Sequence, residues 1–351
     1  MLDKYQFDTP LTRLLGIDLP IIQAPIGGAT TPALVAAVSN AGGLGVLSIT
    51  WRSLELTRAL IRETRALTER PFAVNLVLDW DPTERLAIAL AEGVKLVSFF
   101  WGDPAPYLAT VHDAGGLVLH AVGSAAEGRR AVVDGVDLIV AQGWEAGGHV
   151  WGNVATMALV PVVVDAVAPV PVIAAGGIVD GRGLVAALAL GAAGVWLGTR
   201  FLLAEEASVH SHYRARLLAA SETDTVHTEL FDGGWPNAPL RALRNATYQR
   251  WEDAGSPVSG QRPGEGEAIG RNELGEVVER YSSGSPVVGT EGEIEAMVLY
   301  AGQGVGLARR TQPAAAIVRE IAAEAVLVID GLEGIIGRGQ RSIDGSSMAP
   351  D

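Results

Sequence analysis

The chain has no cysteine, and Lys4 and Lys95 are its only lysines among 351 residues. The first absence excludes a disulfide framework, a thiolate metal site and a cysteine nucleophile; no metal site is expected. The second leaves no lysine at a strand end where a Schiff base could form. Long apolar runs are missing too, the hydrophobic stretches being short and broken by glycine. The opening segment, MLDKYQFDTPLTRLLG, has no basic stretch followed by an apolar one, so a cytoplasmic location is expected. Basic residues are in deficit, 26 against 40 acidic, for a net charge of -14. Such a chain repels phosphate backbones and anionic lipids, so neither nucleic acid nor membrane is expected as a partner.

What is present points to a folded α/β protein, since 48% hydrophobic residues suffice for a large core. Short apolar runs bounded by Gly or Pro recur eight times, at 20–24, 44–48, 72–76, 95–99, 117–122, 137–141, 171–174 and 194–198. Each has the length and β-branched content of a strand buried on both faces. Between them lie seven segments with helical period and caps, at 31–41, 53–67, 82–91, 104–114, 124–134, 155–167 and 181–190. Eight such units, spaced about 20 to 35 residues apart, predict a (β/α)8 TIM barrel, with a doubly wound sheet as the structural rival.

Beyond residue 204 the pattern changes. A helix is expected over 204–220, and the stretch from 221, rich in Gly, Pro, Trp and charge, reads as an inserted C-terminal lid or substrate subdomain. The segment 291–301 and an apolar helix over 313–329 read as a return to the barrel wall. The expected domains are a barrel formed by 1–220 and 291–337, a lid over 221–290, and a flexible tail over 338–351.

In such a barrel, ligands sit at the carboxyl ends of the strands, with phosphate commonly held by the loops after strands seven and eight. Those loops here are Ala174-Ala175-Gly176-Gly177-Ile178 and Gly198-Thr199-Arg200. Paired glycines let backbone N–H groups approach phosphate oxygens, the helix starting near Asp180 would add its positive end, and Thr199 offers a hydroxyl. The sixth loop, Gln142-Gly143-Trp144-Glu145-Ala146-Gly147-Gly148-His149, leaves room for a flat ring, with Gln142 able both to donate and to accept hydrogen bonds. His149 on that face suits proton transfer near neutral pH. Trp144 is expected to pack, Glu145 to cap a helix or pair on the surface, and His120 to belong to the core.

These stretches resemble the nitronate monooxygenase family, formerly the 2-nitropropane dioxygenases, and the related flavin-dependent enoyl-acyl-carrier-protein reductases. The resemblance rests on PIIQAPIGGATTPALVAAVSNAGGLG, AQGWEAGGH, AAGGI, GTRF and YAGQ, in that order along most of the chain. It implies FMN at the barrel mouth, with Ala24, Pro25, Ile26, Asn75 and Gln142 contacting the ring beside Gly147 and Gly148. Gly176, Gly177, Gly198 and Thr199 correspond to the phosphate cradle, His149 to the catalytic histidine, and Gln303 to a further cofactor contact. Two positions depart from the family pattern. Ile26 stands where Met is frequent, which keeps an apolar contact. Phe100 stands in SFFWG where many nitronate-oxidising members have a second histidine, and it cannot move a proton.

The leading expectation is an FMN-dependent monooxygenase converting alkyl nitronates or nitroalkanes and O2 to carbonyl compounds and nitrite, with His149 as acid/base. The alternative is an NAD(P)H-dependent flavin reductase acting on an enoyl thioester or quinone. A flavin-free isomerase or aldolase would use the same phosphate loops but lacks a suitable lysine or carboxylate cluster. Oligomeric state is open, a homodimer being one option.

Overall fold

Alternation of helix and strand begins with α1 (Pro10–Leu15), β1 (Ile21–Gln23), α2 (Pro32–Asn40), β2 (Gly45–Ser48), α3 (Leu54–Leu67) and β3 (Phe72–Val77). It continues through α4 (Thr83–Ala91), β4 (Leu96–Phe100), α5 (Ala105–Asp113), β5 (Leu117–Val122), α6 (Ala125–Asp134) and β6 (Leu138–Gln142). After a two-residue strand, β7 (Gly148–His149), come α7 (Thr156–Val167), β8 (Val172–Ala175), α8 (Gly181–Ala189) and β9 (Gly194–Leu197). This is a computed structural model, which describes residues 6–335; the tail expected over 338–351 lies outside the described residues.

Eight parallel strands make one sheet in the order β1-β9-β8-β6-β5-β4-β3-β2, and a parallel bridge between Ile22 and Leu44 joins its two edges. The fold is therefore the expected (β/α)8 barrel, and the doubly wound rival is excluded. Gln23 reinforces the closing seam: its side chain accepts from the Val46 N–H at 3.1 Å and donates to the Val46 carbonyl at 3.3 Å.

Residue alternation along each strand sorts side chains between two apolar layers. On β5, Leu119 and Ala121 point into the barrel with Val46, Ala73, Leu138, Val140 and Ile173, whereas Val118 and Val122 face the helices. His120 shares that outward side and is buried, as expected of a core residue. Leu11 and Leu15 of α1, with Ile17, join the interior cluster and close the floor of the barrel. The upper ends of the strands turn polar, with Ser48 beside Asn75 and Asn75 beside Ser98 in register.

Only part of the helix expected over 204–220 forms, as α9 (Ser211–Ala219), with His210 as its N-cap. The preceding residues turn instead of continuing the helix, held by longer-range partners. Glu205 N–H donates to the Gln312 carbonyl, the Glu206 carbonyl accepts from the Thr31 hydroxyl, and the Glu206 carboxylate takes the Ala314 N–H at 2.8 Å.

Beyond α9 come β10 (Thr225–Thr228), β11 (Leu240–Leu243), α10 (Ala246–Asp253), β12 (Ala268–Arg271), β13 (Val277–Glu279) and β14 (Glu291–Gly292). Of the stretch 291–301, Glu291–Gly292 pairs with β12, while Leu299 and Ala301 bond back to Leu243 and Arg241. The long helix α11 (Ala314–Ile335) then packs between α8 and α2, completing the ring around the barrel.

Candidate active site

The loop after β6 takes its shape from two anchors. Glu145 turns back so that its carboxylate accepts the Thr156 N–H and hydroxyl, both at 2.9 Å, at the first turn of α7. Glu145 thus caps a helix, where a negative charge is favourable. Buried Arg241 holds the other side, donating twice to the Trp144 carbonyl at 3.0 and 3.2 Å and lying 4.2 Å over the Trp144 ring.

Past these anchors the backbone becomes β7, the edge of a three-stranded sheet ordered β10-β11-β7. His149 lies opposite Leu240, and Gly148 opposite Arg241. The histidine therefore sits on a strand bonded to β11, and its carbonyl accepts from Gln142 Nε2 at 3.2 Å.

A cavity of about 650 Å³ opens at the carboxyl ends of the barrel strands, within the roughly 300–1,000 Å³ of small-molecule sites. Ala24, Pro25, Ile26, Asn75, Gln142, Gly147, Gly148, His149, Gly176, Gly177, Gly198 and Thr199 all line it. Gln303 does not. Its N–H is drawn onto the Glu145 carbonyl at 2.9 Å, and its neighbours Gly302 and Gly304 face the cavity instead. The Asn75 amide is fixed by bonds to the Ser98 carbonyl and hydroxyl at 3.2 and 3.3 Å.

Glycine is required at several of these positions, three of which show why. Gly176 and Gly177 have φ of 108° and 70°, in the left-handed region, and a Cβ on Gly147 would stand 2.3 Å from the Gly302 nitrogen. The Thr199 hydroxyl accepts from the Gly302 N–H at 2.9 Å, which keeps its own hydrogen available to donate. The expected positive end of α8 is otherwise engaged. Its first N–H groups donate to Asp180 and Glu324, so a phosphate would rely on the loops rather than on that helix.

The His149 ring stacks at 3.9 Å on Trp235, with Tyr300 at 5.5 Å and Trp101 at 6.2 Å. His149 is half-buried as a residue, yet its Nε2 has no solvent contact and no hydrogen-bond partner. Burial pushes its pKa down to about 3, so the imidazole is neutral. Phe100 lines the cavity against Trp151 and Trp101, at 5.3 and 5.7 Å. Trp101 has φ of 64°, a strained value for a bulky residue.

Sequence reasoning missed the aromatic wall formed by Trp51, Trp80, Trp235 and Tyr300. Of these only Tyr300 lies in one of the quoted motifs, YAGQ, and only the folded loops bring the four together.

Barrel, glycine-edged mouth and unpartnered imidazole together form a small-molecule site at the carboxyl ends of the barrel strands. The sequence family described as nitronate monooxygenase matches residues 8–84 and 80–324, and the chain belongs to that family. It is 35% identical over 362 residues to a nitronate monooxygenase of Pseudomonas aeruginosa, covering 89% of this chain and 98% of the relative. It is 42% identical over 255 residues to a (3aS,4S,5R,7aS)-5-hydroxy-7a-methyl-1-oxo-octahydro-1H-indene-4-carboxyl-CoA dehydrogenase of Mycobacterium tuberculosis, covering 72% of this chain and 70% of the relative. Among solved structures, FabK from Thermotoga maritima superposes with a TM-score of 0.81 at 32% identity, covering 94% of this chain and 99% of the other.

Proposed function

We propose that the chain is an FMN-dependent monooxygenase that oxidises alkyl nitronates with O2 to carbonyl compounds and nitrite. The overall reaction balances when two nitronates and one O2 yield two carbonyl compounds and two nitrites.

The observation that carries this reading is the buried, unpartnered Nε2 of His149 on the wall of a glycine-edged cavity. An unsatisfied buried polar atom costs stability and is retained where a ligand will satisfy it. The residues present fit a flavin mononucleotide. Gly176, Gly177, Gly198 and Thr199 would hold its phosphate, and Ala24, Pro25, Ile26, Asn75 and Gln142 would hold its ring beside Gly147 and Gly148. An added Cβ at Gly148 would meet nothing within 4 Å, so the space beside it is open to a ring. Bound FMN supplies the electron acceptance that no side chain here provides.

His149 then takes one of two roles. Removing the α-proton of a neutral nitroalkane needs a base whose pKa lies nearer neutrality. A neutral imidazole with its pKa pushed to about 3 instead suits hydrogen-bond donation to an oxygen of a preformed nitronate. The deciding experiment measures nitrite release from ethylnitronate and from nitroethane by purified, yellow protein. Faster turnover of the nitronate supports the reading, and a flavoprotein that releases nitrite from neither substrate refutes it.

A second reading, NAD(P)H-dependent reduction of an enoyl thioester, draws on the relative named as a coenzyme A thioester dehydrogenase. Rapid anaerobic bleaching of the flavin by NADPH would favour it.

A further inference from the structure

Three tryptophans from distant parts of the chain meet on the wall of the cavity. Trp51 follows β2, Trp80 follows β3, and Trp235 comes from the β10–β11 connection. The ring centroids of Trp51 and Trp80 are 5.3 Å apart, those of Trp80 and Trp235 4.9 Å, and those of Trp51 and Trp235 6.3 Å. Through Trp235 this wall runs directly onto the His149 ring.

Core packing does not account for the whole cluster. Trp51 is 51% exposed, and the cavity-lining residues Leu274 and Val277 are 72% and 52% exposed. Large apolar side chains left in water at a cavity wall mark a surface that a ligand covers.

Charge narrows the ligand. Among the described residues, the charged ones lining the cavity are Arg52, Glu273 and Glu276. Arg52 is already shared between Glu273, at 3.9 Å, and the Gly28 carbonyl, at 3.5 Å. One engaged cation against two carboxylates offers nothing to the clustered phosphates of coenzyme A or NADPH, which are usually held by several cations. It does not exclude a single delocalised anion whose charge reaches the His149 end of the cavity.

We propose that Trp51, Trp80 and Trp235, with these apolar side chains, select nitronates carrying an aromatic or fused-ring substituent over short alkyl nitronates and over coenzyme A thioesters. This rests on the nitronate reading of the same cavity. The substituent packs edge or face against the indoles, the geometry aromatic pairs prefer, while the nitronate group faces His149.

The test compares kcat/KM for the phenylnitromethane anion and for ethylnitronate, with crotonyl-CoA plus NADPH as the thioester arm. A binding titration follows intrinsic tryptophan fluorescence with phenylacetate and with propionate, carboxylates that share the planar delocalised charge of a nitronate. We expect the aryl nitronate to be favoured at least tenfold, equivalent to about 1.4 kcal/mol, and phenylacetate to quench fluorescence at concentrations where propionate does not. In Trp51→Ala, an exposed position where folding is not at risk, the preference falls at least fivefold, and Trp51→Phe restores most of it. Ethylnitronate turnover with no aryl preference, or a preference unchanged in Trp51→Ala, overturns the inference and leaves the nitronate reading standing. Turnover of crotonyl-CoA with no nitrite from either nitronate overturns both.

Discussion

Trp235, between β10 and β11, lies face-inclined on His149, ring centroids 3.9 Å apart and planes 35° from parallel. The indole N–H is anchored on the Asp79 carboxylate, so the β10–β11 connection is tied to the loop after β3 at the point where it covers the histidine. Replacing Trp235 by Ala admits water to Nε2 and relieves the burial that depresses its pKa. NMR titration of the His149 imidazole is expected to show its pKa rising from about 3 towards the ordinary value of 6.5. An unchanged pKa would mean that Trp235 does not shield the ring.

His149→Gln keeps a polar side chain but removes the imidazole. Nitrite release is expected to fall by about 10²–10⁴-fold, the usual contribution of a positioned acid/base group, with bound flavin retained at close to wild-type stoichiometry. Loss of flavin in this variant would move His149 from chemistry to cofactor binding.

Acid stability follows from two neutral histidines, His120 buried and His149 half-buried with its Nε2 shut off from solvent. Burial lowers the pKa of His149 to about 3 and that of His120 to about 4, against 6.5 in an unfolded chain. Above pH 6.5 both states are neutral and the shifts contribute nothing. Below it the unfolded chain takes up protons that the folded one refuses, so stability falls by up to roughly 1.4 kcal/mol per pH unit per histidine. Urea midpoints measured between pH 7 and 4.5 should decline, and His120→Gln should flatten the slope. Equal slopes for the two proteins would show that His120 is protonated in the fold.

Glu145→Ala strips the carboxylate from the start of α7 and leaves Thr156 without its partner. A loss of about 1 kcal/mol in thermal or urea unfolding is expected, typical of a lost cap. Weaker flavin retention should accompany it, because the same loop carries Gln142, Gly147 and Gly148. Wild-type stability and flavin content would separate this cap from the site.

Gly147→Ala puts a methyl 2.3 Å from the Gly302 nitrogen and 2.6 Å from the Ala301 carbonyl carbon, both rigid backbone. The loop must shift, and flavin content should drop well below that of the wild type. Gly148→Ala meets no atom within 4 Å but has φ of 79°, so its cost is backbone strain of about 1–2 kcal/mol.

The barrel was readable because its strands are buried on both faces and appear as apolar runs punctuated by Gly and Pro. Helix starts were equally plain, as Thr31, Ser53 and Ser124 each cap with a side-chain oxygen. The helix expected over 204–220 was shortened by partners far away in sequence, Gln312 and Ala314, which no local pattern reveals. His149 read as part of a loop because a two-residue strand has no periodicity; its pairing with Leu240 depends on a segment about ninety residues later. Gln303 sits in a recognisable motif, yet its backbone bond to Glu145 turns the neighbouring glycines to the cavity. The tryptophan wall has no signature along the chain, since Trp51, Trp80 and Trp235 come from three separate connections.

The central claim is that a flavin at this barrel mouth takes electrons from nitronates. Purified protein, with its flavin identified as FMN after release, is mixed anaerobically with ethylnitronate or with NADPH while the flavin absorbance is followed. It is then given O2 and assayed for nitrite. The account predicts loss of oxidised-flavin absorbance with ethylnitronate, and nitrite formed in step with carbonyl product once O2 is admitted. Rapid bleaching by NADPH, with ethylnitronate leaving the spectrum unchanged and yielding no nitrite, would contradict it.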